Sequence, residues 1–238
     1  FRNIAFLMAF FLVQVFHAQS EPMLPELSTK GRSMQNIIPT NWKILSKASG
    51  DLNGDGYEDI VFAIESPKKK KYIYKDSSDS DTLHINPRVL GIYFGKRNGK
   101  LKKVLQSNAF IINRNTPTME EPFKGLQILQ NGELQIDFYI WPCRECTTWS
   151  SHKYIFRFQN RAFELVEYKK SAAQRVSGDE MNYSIDFQNK TLKMITETSN
   201  EDDEREYKET LQKFELDHLK TIQSLGKPFE WEFQQLRI

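Results

Sequence analysis

The sequence predicts an all-β protein: an antiparallel hairpin meander, folded as a sandwich or an open barrel. One observation is that short stretches with apolar residues at every second position recur along the chain, as in Leu134–Ile140. The other is that four pairs of such stretches are separated by a turn containing an asparagine, at Asn98, Asn131, Asn160 and Asn189. These asparagines are spaced by 33, 29 and 29 residues, so a partial propeller-like arrangement is the alternative.

The first two turns carry the strongest hairpin signal. Asn98-Gly99 and Asn131-Gly132 each stand between two apolar stretches, and an Asn-Gly pair is typical of a two-residue turn in which both residues have positive φ. The run from Asp59 to Ile64 is almost continuously apolar, which is typical of a central strand. Residues 42–45 read as the strand before it.

Three other segments are polar. Lys68–Lys71 and Asp76–Asp81 are predicted to be loop tips. The segment 200–213 has a helix-forming composition with few apolar positions, so we expect an acidic loop leading into a strand at Tyr207–Leu216, with a helix as the alternative.

The first twenty residues predict a signal peptide. Arg2 precedes an apolar run from Ile4 to Val15, and small residues at Ala18 and Ser20 form a cleavage pattern. We expect residues 1–20 to be removed, residues 21–40 to be a linker, and residues 41–238 to form one domain. The protein is therefore expected to be secreted or periplasmic, with no membrane anchor after cleavage.

Composition excludes several protein classes. With 17 Phe, 9 Tyr and 4 Trp the chain can fill a core, so it is not disordered, and 2 Cys are too few for a disulfide-dense fold. A net charge of +2 gives no electrostatic reason to expect nucleic-acid binding.

Residues 51–59, Asp-Leu-Asn-Gly-Asp-Gly-Tyr-Glu-Asp, predict a calcium loop between two strands. Side-chain oxygens stand at alternate positions (Asp51, Asn53, Asp55) and again at Asp59, and Tyr57 would supply its backbone carbonyl. Calcium takes six to eight oxygen ligands, and water would complete this set. Three carboxylates this close repel one another, so we expect the cation to order the loop.

Residues 48–64 resemble the FG-GAP repeat of integrin α-chain propellers and its VCBS-type bacterial relatives. That family has a D-x-N-x-D-G-x-x-D loop followed by an apolar strand, and this chain carries a single copy. The overall layout resembles uncharacterised secreted bacterial proteins, which implies no catalytic residues.

Cys143 and Cys146 form a C-x-x-C pair directly after a predicted strand. The β-branched and aromatic residues that follow favour a local disulfide over the helix of a thiol-disulfide redox site, which is the runner-up. A zinc site with His152 and His218 is a further alternative.

Enzyme signatures are otherwise absent from the sequence. Asp137, Glu164 and Glu167 are the available strand carboxylates, and by default they face solvent. Tyr139, Trp141 and Trp149 cluster near the cysteines and would suit a carbohydrate-binding module.

We therefore expect a non-catalytic, calcium-binding β-protein with a binding or structural role. Its partner would be an extracellular protein or a glycan, and the chain is expected to be a monomer.

Overall fold

The computed structural model describes residues 24–75, 80–199 and 204–238. The predicted signal peptide, residues 1–20, lies outside the described residues. Within the described ranges, no helix has both the length and the apolar character needed to cross a membrane.

The first sheet has five antiparallel strands in the order β1-β7-β6-β3-β2. A separate hairpin, β4–β5, is inserted between β3 and β6. The strands up to this point are β1 (Lys30–Gly31), β2 (Lys43–Gly50), β3 (Asp59–Glu65), β4 (Lys70–Lys75), β5 (Ser80–Ile85), β6 (Arg88–Gly95) and β7 (Leu101–Ser107).

The second sheet has seven antiparallel strands, each paired with the next along the chain. The predicted meander is therefore confirmed for this half of the protein. Its strands are β8 (Phe123–Ile128), β9 (Leu134–Ile140), β10 (Thr148–Gln159), β11 (Ala162–Gln174), β12 (Glu180–Asp186), β13 (Thr191–Ser199) and β14 (Arg205–Lys213).

The two sheets are not closed into a barrel, which agrees with the sandwich form of the prediction. The main core lies between them and combines side chains from both, including Val61, Leu90, Phe138 and Phe156. The sheets approach along β2 and β8: the amide of Leu126 donates to Ser46 Oγ at 3.1 Å, and Ile128 packs against Gly50.

The N-terminal segment that was predicted to be a linker covers the other face of the five-stranded sheet from residue 24 onward. Here β1 pairs with β7, and α1 (Met34–Ile37) follows. Leu27 and Ile37 are buried against Phe62 and Tyr93 in a second core cluster. Because β3 and β6 are thus covered on both faces, their sequences are continuously apolar instead of alternating.

All four predicted hairpins form, but the two Asn-Gly turns differ from the prediction. Only Gly99 and Gly132 have positive φ there, so the expectation of two positive-φ residues was wrong. The reason is that Asn98 and Asn131 accept the amide two residues ahead through their own Oδ1, which keeps asparagine in the ordinary region. A two-residue turn with both φ values positive occurs instead at Asn160-Arg161.

The C-terminal residues pack into the main core. After β14, α2 (Ile222–Leu225) contributes Ile222 and Leu225, and the hairpin of β15 (Glu232–Phe233) and β16 (Leu236–Arg237) contributes Leu236, followed by Ile238.

Two loop predictions are modified. Lys70 and Lys71 belong to β4, so the first loop ends at Lys69, and residues 76–79 of the second loop lie outside the described residues. The strand that was predicted over Tyr207–Leu216, with a helix as the alternative, forms as β14.

Candidate functional site

The predicted calcium loop joins β2 to β3 at the edge where the two sheets meet. Gly54 and Gly56 have φ values of 72° and 80°, which lets the chain turn back within a few residues. The β8–β9 turn touches the loop closely, because a Cβ on Gly132 would lie 2.7 Å from the carbonyl oxygen of Asp51. The loop is therefore held by both sheets.

Asp51 organises the first half of the loop. Its Oδ1 accepts the amides of Gly54 (2.8 Å) and Asp55 (3.2 Å), and its Oδ2 accepts the amide of Gly56 (2.8 Å). The Gly56 hydrogen bond is the largest cause of a lowered pKa for the Asp51 carboxyl, although burial acts in the opposite direction. The Asp51 side chain is thus held as a carboxylate inside a ring of amides.

Asn53 and Asp55 continue the same pattern. Asn53 Oδ1 accepts the amide of Asp55 at 2.9 Å, and Asp55 Oδ1 accepts the amide of Tyr57 at 3.0 Å. The second oxygen of Asp55 lies 3.6 Å from Lys96 Nζ and accepts from Asn53 Nδ2 at 3.2 Å. A lysine from the β6–β7 turn therefore supplies positive charge to this acidic loop.

Asp59 differs from the other carboxylates because it is fully buried. Its Oδ2 accepts the amide of Leu52 and its Oδ1 accepts the amide of Gly95, both at 2.8 Å. Burial raises the pKa of Asp59 and outweighs these two amides, and Asp55 and Asp51 raise it further through like charge. Asp59 fastens the loop to the end of β6.

The predicted ligands supply the oxygens that calcium prefers, but not in a preformed cluster. In the described ranges, no group of three or more His, Cys, Asp or Glu side chains is gathered for metal binding, so Asp51, Asp55 and Asp59 are not arranged as a ready-made ligand cluster. Asp51 Oδ2 and Asp55 Oδ1 each accept one amide and keep a second lone pair, whereas Asp51 Oδ1 accepts two amides. All five predicted ligands fit a hard cation in residue type, namely Asp51, Asn53, Asp55, Asp59 and the Tyr57 carbonyl. Asp59 is also engaged with the amides of Leu52 and Gly95.

Cys143 and Cys146 form a disulfide, with their Cα atoms 5.1 Å apart. The bridge closes a turn between β9 and β10, and no helix starts within residues 141–147. Trp141 Nε1 donates to the carbonyl of Cys146 at 3.0 Å, and Thr116 Oγ1 donates to the carbonyl of Pro142 at 2.8 Å. These contacts pin the turn in place, and the joined cysteines offer no thiolate to the zinc site considered above.

His152, a further residue of the predicted zinc site, lies on β10 and is only 4% exposed. Its Nε2 lies 2.7 Å from Ser150 Oγ and its Nδ1 lies 2.7 Å from the Tyr168 hydroxyl. Burial lowers the pKa of His152 to about 3, and the charge on Lys170 adds to this, so the ring is neutral. Sequence reasoning missed the chain Ser150–His152–Tyr168, although alternation does place Ser150 and His152 on one strand face.

The hydrogen-bonded series Ser150–His152–Tyr168 resembles part of a catalytic triad in connectivity only. A serine needs a base whose pKa lies near the working pH, and burial holds the pKa of His152 far below that range. The Phe229 ring also covers the imidazole, with centroids 4.6 Å apart. The two contacts give both ring nitrogens of the buried His152 a hydrogen-bond partner.

The predicted strand carboxylates are not brought together. Asp137 accepts from Gln135 Nε2, Glu164 accepts from Gln159 Nε2, and Glu167 pairs with Lys169 Nζ at 3.0 Å. Each is engaged with a different neighbour, so they do not form the facing pair that glycoside hydrolysis requires.

The predicted aromatic residues do lie close together. Tyr139 and Trp149 belong to the outer face of the seven-stranded sheet, since each alternates with inward residues on its strand. The rings of Trp141 and Trp149 are 6.5 Å apart, and all three side chains are half-buried. They form an aromatic patch at one end of this face.

A second ionic cluster escaped prediction because its members are far apart in sequence. Buried Arg88 donates to both oxygens of Glu121 at 2.7 Å, to Glu65 at 3.2 Å and to the carbonyl of Ile112 at 2.6 Å. The arginine is 5% exposed, whereas Glu121 is half exposed. Hydrogen bonds and charge from Arg88 lower the pKa of Glu121 despite burial, which acts to raise it.

Comparison with known proteins gives no relative: no family model, no curated protein and no solved structure matches this chain.

Proposed function

We propose that this chain is a secreted or periplasmic, non-catalytic β-protein in which calcium binds the loop Asp51–Asp59 and fixes the edge where the two sheets meet. The observation that supports this most is the series of side-chain-to-amide hydrogen bonds that begins at Asp51 and continues at Asn53 and Asp55. It holds the alternate oxygen-bearing side chains within one short loop, and oxygen is the ligand type that calcium takes.

A bound ion would act through charge. Asp51 and Asp55 both raise the pKa of Asp59, which means that the three carboxylates are close enough to repel. At present Lys96 offsets part of this repulsion from 3.6 Å. A divalent cation would offset more, and we expect it to displace the ammonium of Lys96 from Asp55.

We expect weak affinity, with a Kd of about 10⁻⁴–10⁻³ M, as in extracellular calcium modules. Extracellular or periplasmic location, the signal peptide at residues 1–20 and membership of the FG-GAP or VCBS-type group all belong to this proposal. N-terminal sequencing of the exported protein should place its first residue near Glu21.

The melting temperature tests the calcium proposal directly. Calcium should raise it relative to chelator, and Asp55→Ala should abolish the rise. Asp217→Ala is the matched control, because Asp217 is exposed and lies outside the loop. Equal melting temperatures of the wild type in calcium and in chelator would contradict the proposal.

Carbohydrate binding is a second candidate function, and the grouping of Tyr139, Trp141 and Trp149 at the outer face favours it.

The redox alternative at Cys143 and Cys146 would need a reactive thiol. It predicts rapid exchange of the disulfide with a small dithiol, whereas a structural bridge predicts slow exchange.

The proposal also includes an extracellular protein or glycan as the partner, a monomeric state and no binding to nucleic acid.

A further inference from the structure

A shallow cavity of about 320 Å³ lies on the outer face of the seven-stranded sheet. Its lining includes four lysines, namely Lys153, Lys169, Lys170 and Lys193, and within the part of the chain that the structure describes it includes no carboxylate. Small-molecule sites begin at roughly 300 Å³, so the cavity could hold one or two sugar rings.

The sheet register places three of these lysines, Lys153, Lys169 and Lys193, in one row on the outer face. Lys153 stands directly opposite Lys169, Lys169 opposite Ser184, and Ser184 opposite Lys193. Like charges that face each other across neighbouring strands destabilise a sheet. The directly opposed pair Lys153 and Lys169 therefore carries a like-charge repulsion that an anion would relieve.

Acidic neighbours neutralise only part of this row. Glu167 pairs with Lys169 at 3.0 Å and Glu209 pairs with Lys193 at 2.9 Å, both from outside the cavity lining. Among the described residues Lys153 forms no salt bridge, although Asp137 stands directly opposite it on β9 and is hydrogen-bonded by Gln135. Lys153 is thus the lysine of the row whose ammonium has no salt-bridge partner among the described residues.

The adjacent row is polar and uncharged. Ser151, Ser171 and Asn182 follow one another across β10, β11 and β12, and Ser171 Oγ hydrogen-bonds to Asn182 Oδ1. Hydroxyl and amide groups both donate and accept, which suits the hydroxyl groups of a sugar. Ser151 in turn stands opposite Tyr139, so the aromatic patch begins where this row ends.

We propose that this face binds an acidic saccharide. Its anionic groups would contact Lys153 and Lys193, and its hydroxyls would contact Ser171 and Asn182. An adjoining ring would pack against Tyr139 and Trp149. The shared chemistry is a carboxylate or sulfate carried on a polyhydroxylated ring. This inference deepens the binding role in the proposed function, but it does not depend on calcium.

The test is calorimetric titration of the full chain, in calcium and in chelator, with trigalacturonate, its neutral counterpart galactotriose, and inorganic sulfate. We expect trigalacturonate to bind and the two controls to bind at least about tenfold more weakly, because the site uses charge and hydroxyls together. K153Q/K193Q should weaken trigalacturonate binding about tenfold or more. Lys208→Gln, on the opposite face of β14, should leave it unchanged.

Galactotriose or sulfate binding as tightly as trigalacturonate would overturn the inference, and the sulfate result would indicate a free-anion site. Full binding by K153Q/K193Q, or no binding of trigalacturonate to the wild type, would overturn it as well. Circular dichroism of that variant checks that it is folded, and binding by the single variant Lys153→Gln replaces it if it is not. A calcium-dependent rise in melting temperature without saccharide binding would leave the calcium proposal intact and reject this inference alone.

Discussion

The backbone amide of Gly95 donates a hydrogen bond to the buried carboxyl of Asp59, with 2.8 Å between Gly95 N and Asp59 Oδ1. The two residues are 36 positions apart in sequence and lie at the ends of neighbouring strands β6 and β3. Because the other oxygen of Asp59 accepts the amide of Leu52, one side chain fastens the calcium loop to the five-stranded sheet.

Gly95→Ala should damage this attachment. A Cβ at position 95 would lie 2.2 Å from the carbonyl oxygen of Glu58, so the loop or the end of β6 must move. We expect a loss of about 1–3 kcal/mol in unfolding free energy and a smaller calcium-dependent rise in melting temperature.

Gly91→Ala is the matched control in the same strand. A Cβ there would meet the Phe62 ring at 2.6 Å, inside the second core cluster and away from the loop. It should lower stability but keep the calcium-dependent rise in melting temperature. An unchanged rise in Gly95→Ala would contradict the role given to the Asp59–Gly95 contact.

The buried guanidinium of Arg88 depends on its two carboxylates. Glu65→Gln/Glu121→Gln leaves the positive charge buried without an ionic partner, and we expect a cost of about 3 kcal/mol in urea unfolding. Arg88→Met should cost less, because the glutamates that remain can be hydrated. The exposed pair Lys190–Glu215 provides the control, since Glu215→Gln should change stability little. Arg88→Met costing more than the glutamate double variant would contradict this ranking.

His152 should make stability depend on pH. Burial lowers its folded pKa to about 3, below the ordinary value of 6.5, so the unfolded chain binds a proton that the native chain does not. Its contribution is therefore present above pH 6.5 and is lost as pH falls toward 3, by up to ~1.4 kcal/mol per pH unit.

Two measurements check this prediction. His152→Phe should flatten the decline of unfolding free energy between these pH values, whereas His218→Gln, at an exposed position, should not. In NMR titration the His152 ring should show no protonation step between pH 5 and 8. A step near 6.5 would contradict the effect of burial.

The disulfide should contribute modestly. Cys143 and Cys146 enclose a very short loop, so the chain-entropy model gives about 2 kcal/mol at most. Cys143→Ser/Cys146→Ser should remain folded and melt a few degrees lower. The fluorescence of Trp141 should change too, because its indole donates to the Cys146 carbonyl. Unfolding of the double variant at room temperature would contradict this prediction.

Local sequence patterns predicted much of the fold. Alternation identified the strands of the meander, and the continuous apolar run after Asp59 identified β3 as a central strand. Such patterns can be recognised in a sequence because strand geometry repeats every two residues. The loop spacing likewise identified Asp51, Asn53 and Asp55 as oxygen-bearing residues of one loop, and each accepts a backbone amide within it.

Contacts between residues that are far apart in sequence could not be predicted from local patterns. The Asp59–Gly95 bond, the Arg88–Glu121 pair and the lysine row all join residues from different strands, and their proximity follows from strand order and register. Asp59 shows the consequence: its spacing places it in the loop, but only the fold shows that it is buried and accepts the amides of Leu52 and Gly95.

By itself, then, the sequence determined the all-β class, the positions of the hairpin turns, the short-range cysteine pair and the oxygen-rich loop. Each of these depends on residues within about a dozen positions of one another in sequence. The tertiary structure decided that two sheets pack without closing, that the N-terminal segment covers one of them, and that Lys153, Lys169 and Lys193 meet on one face. The physical reason is that sheet register aligns residues from separate strands, and a one-residue shift would turn every side chain of a strand to the opposite face.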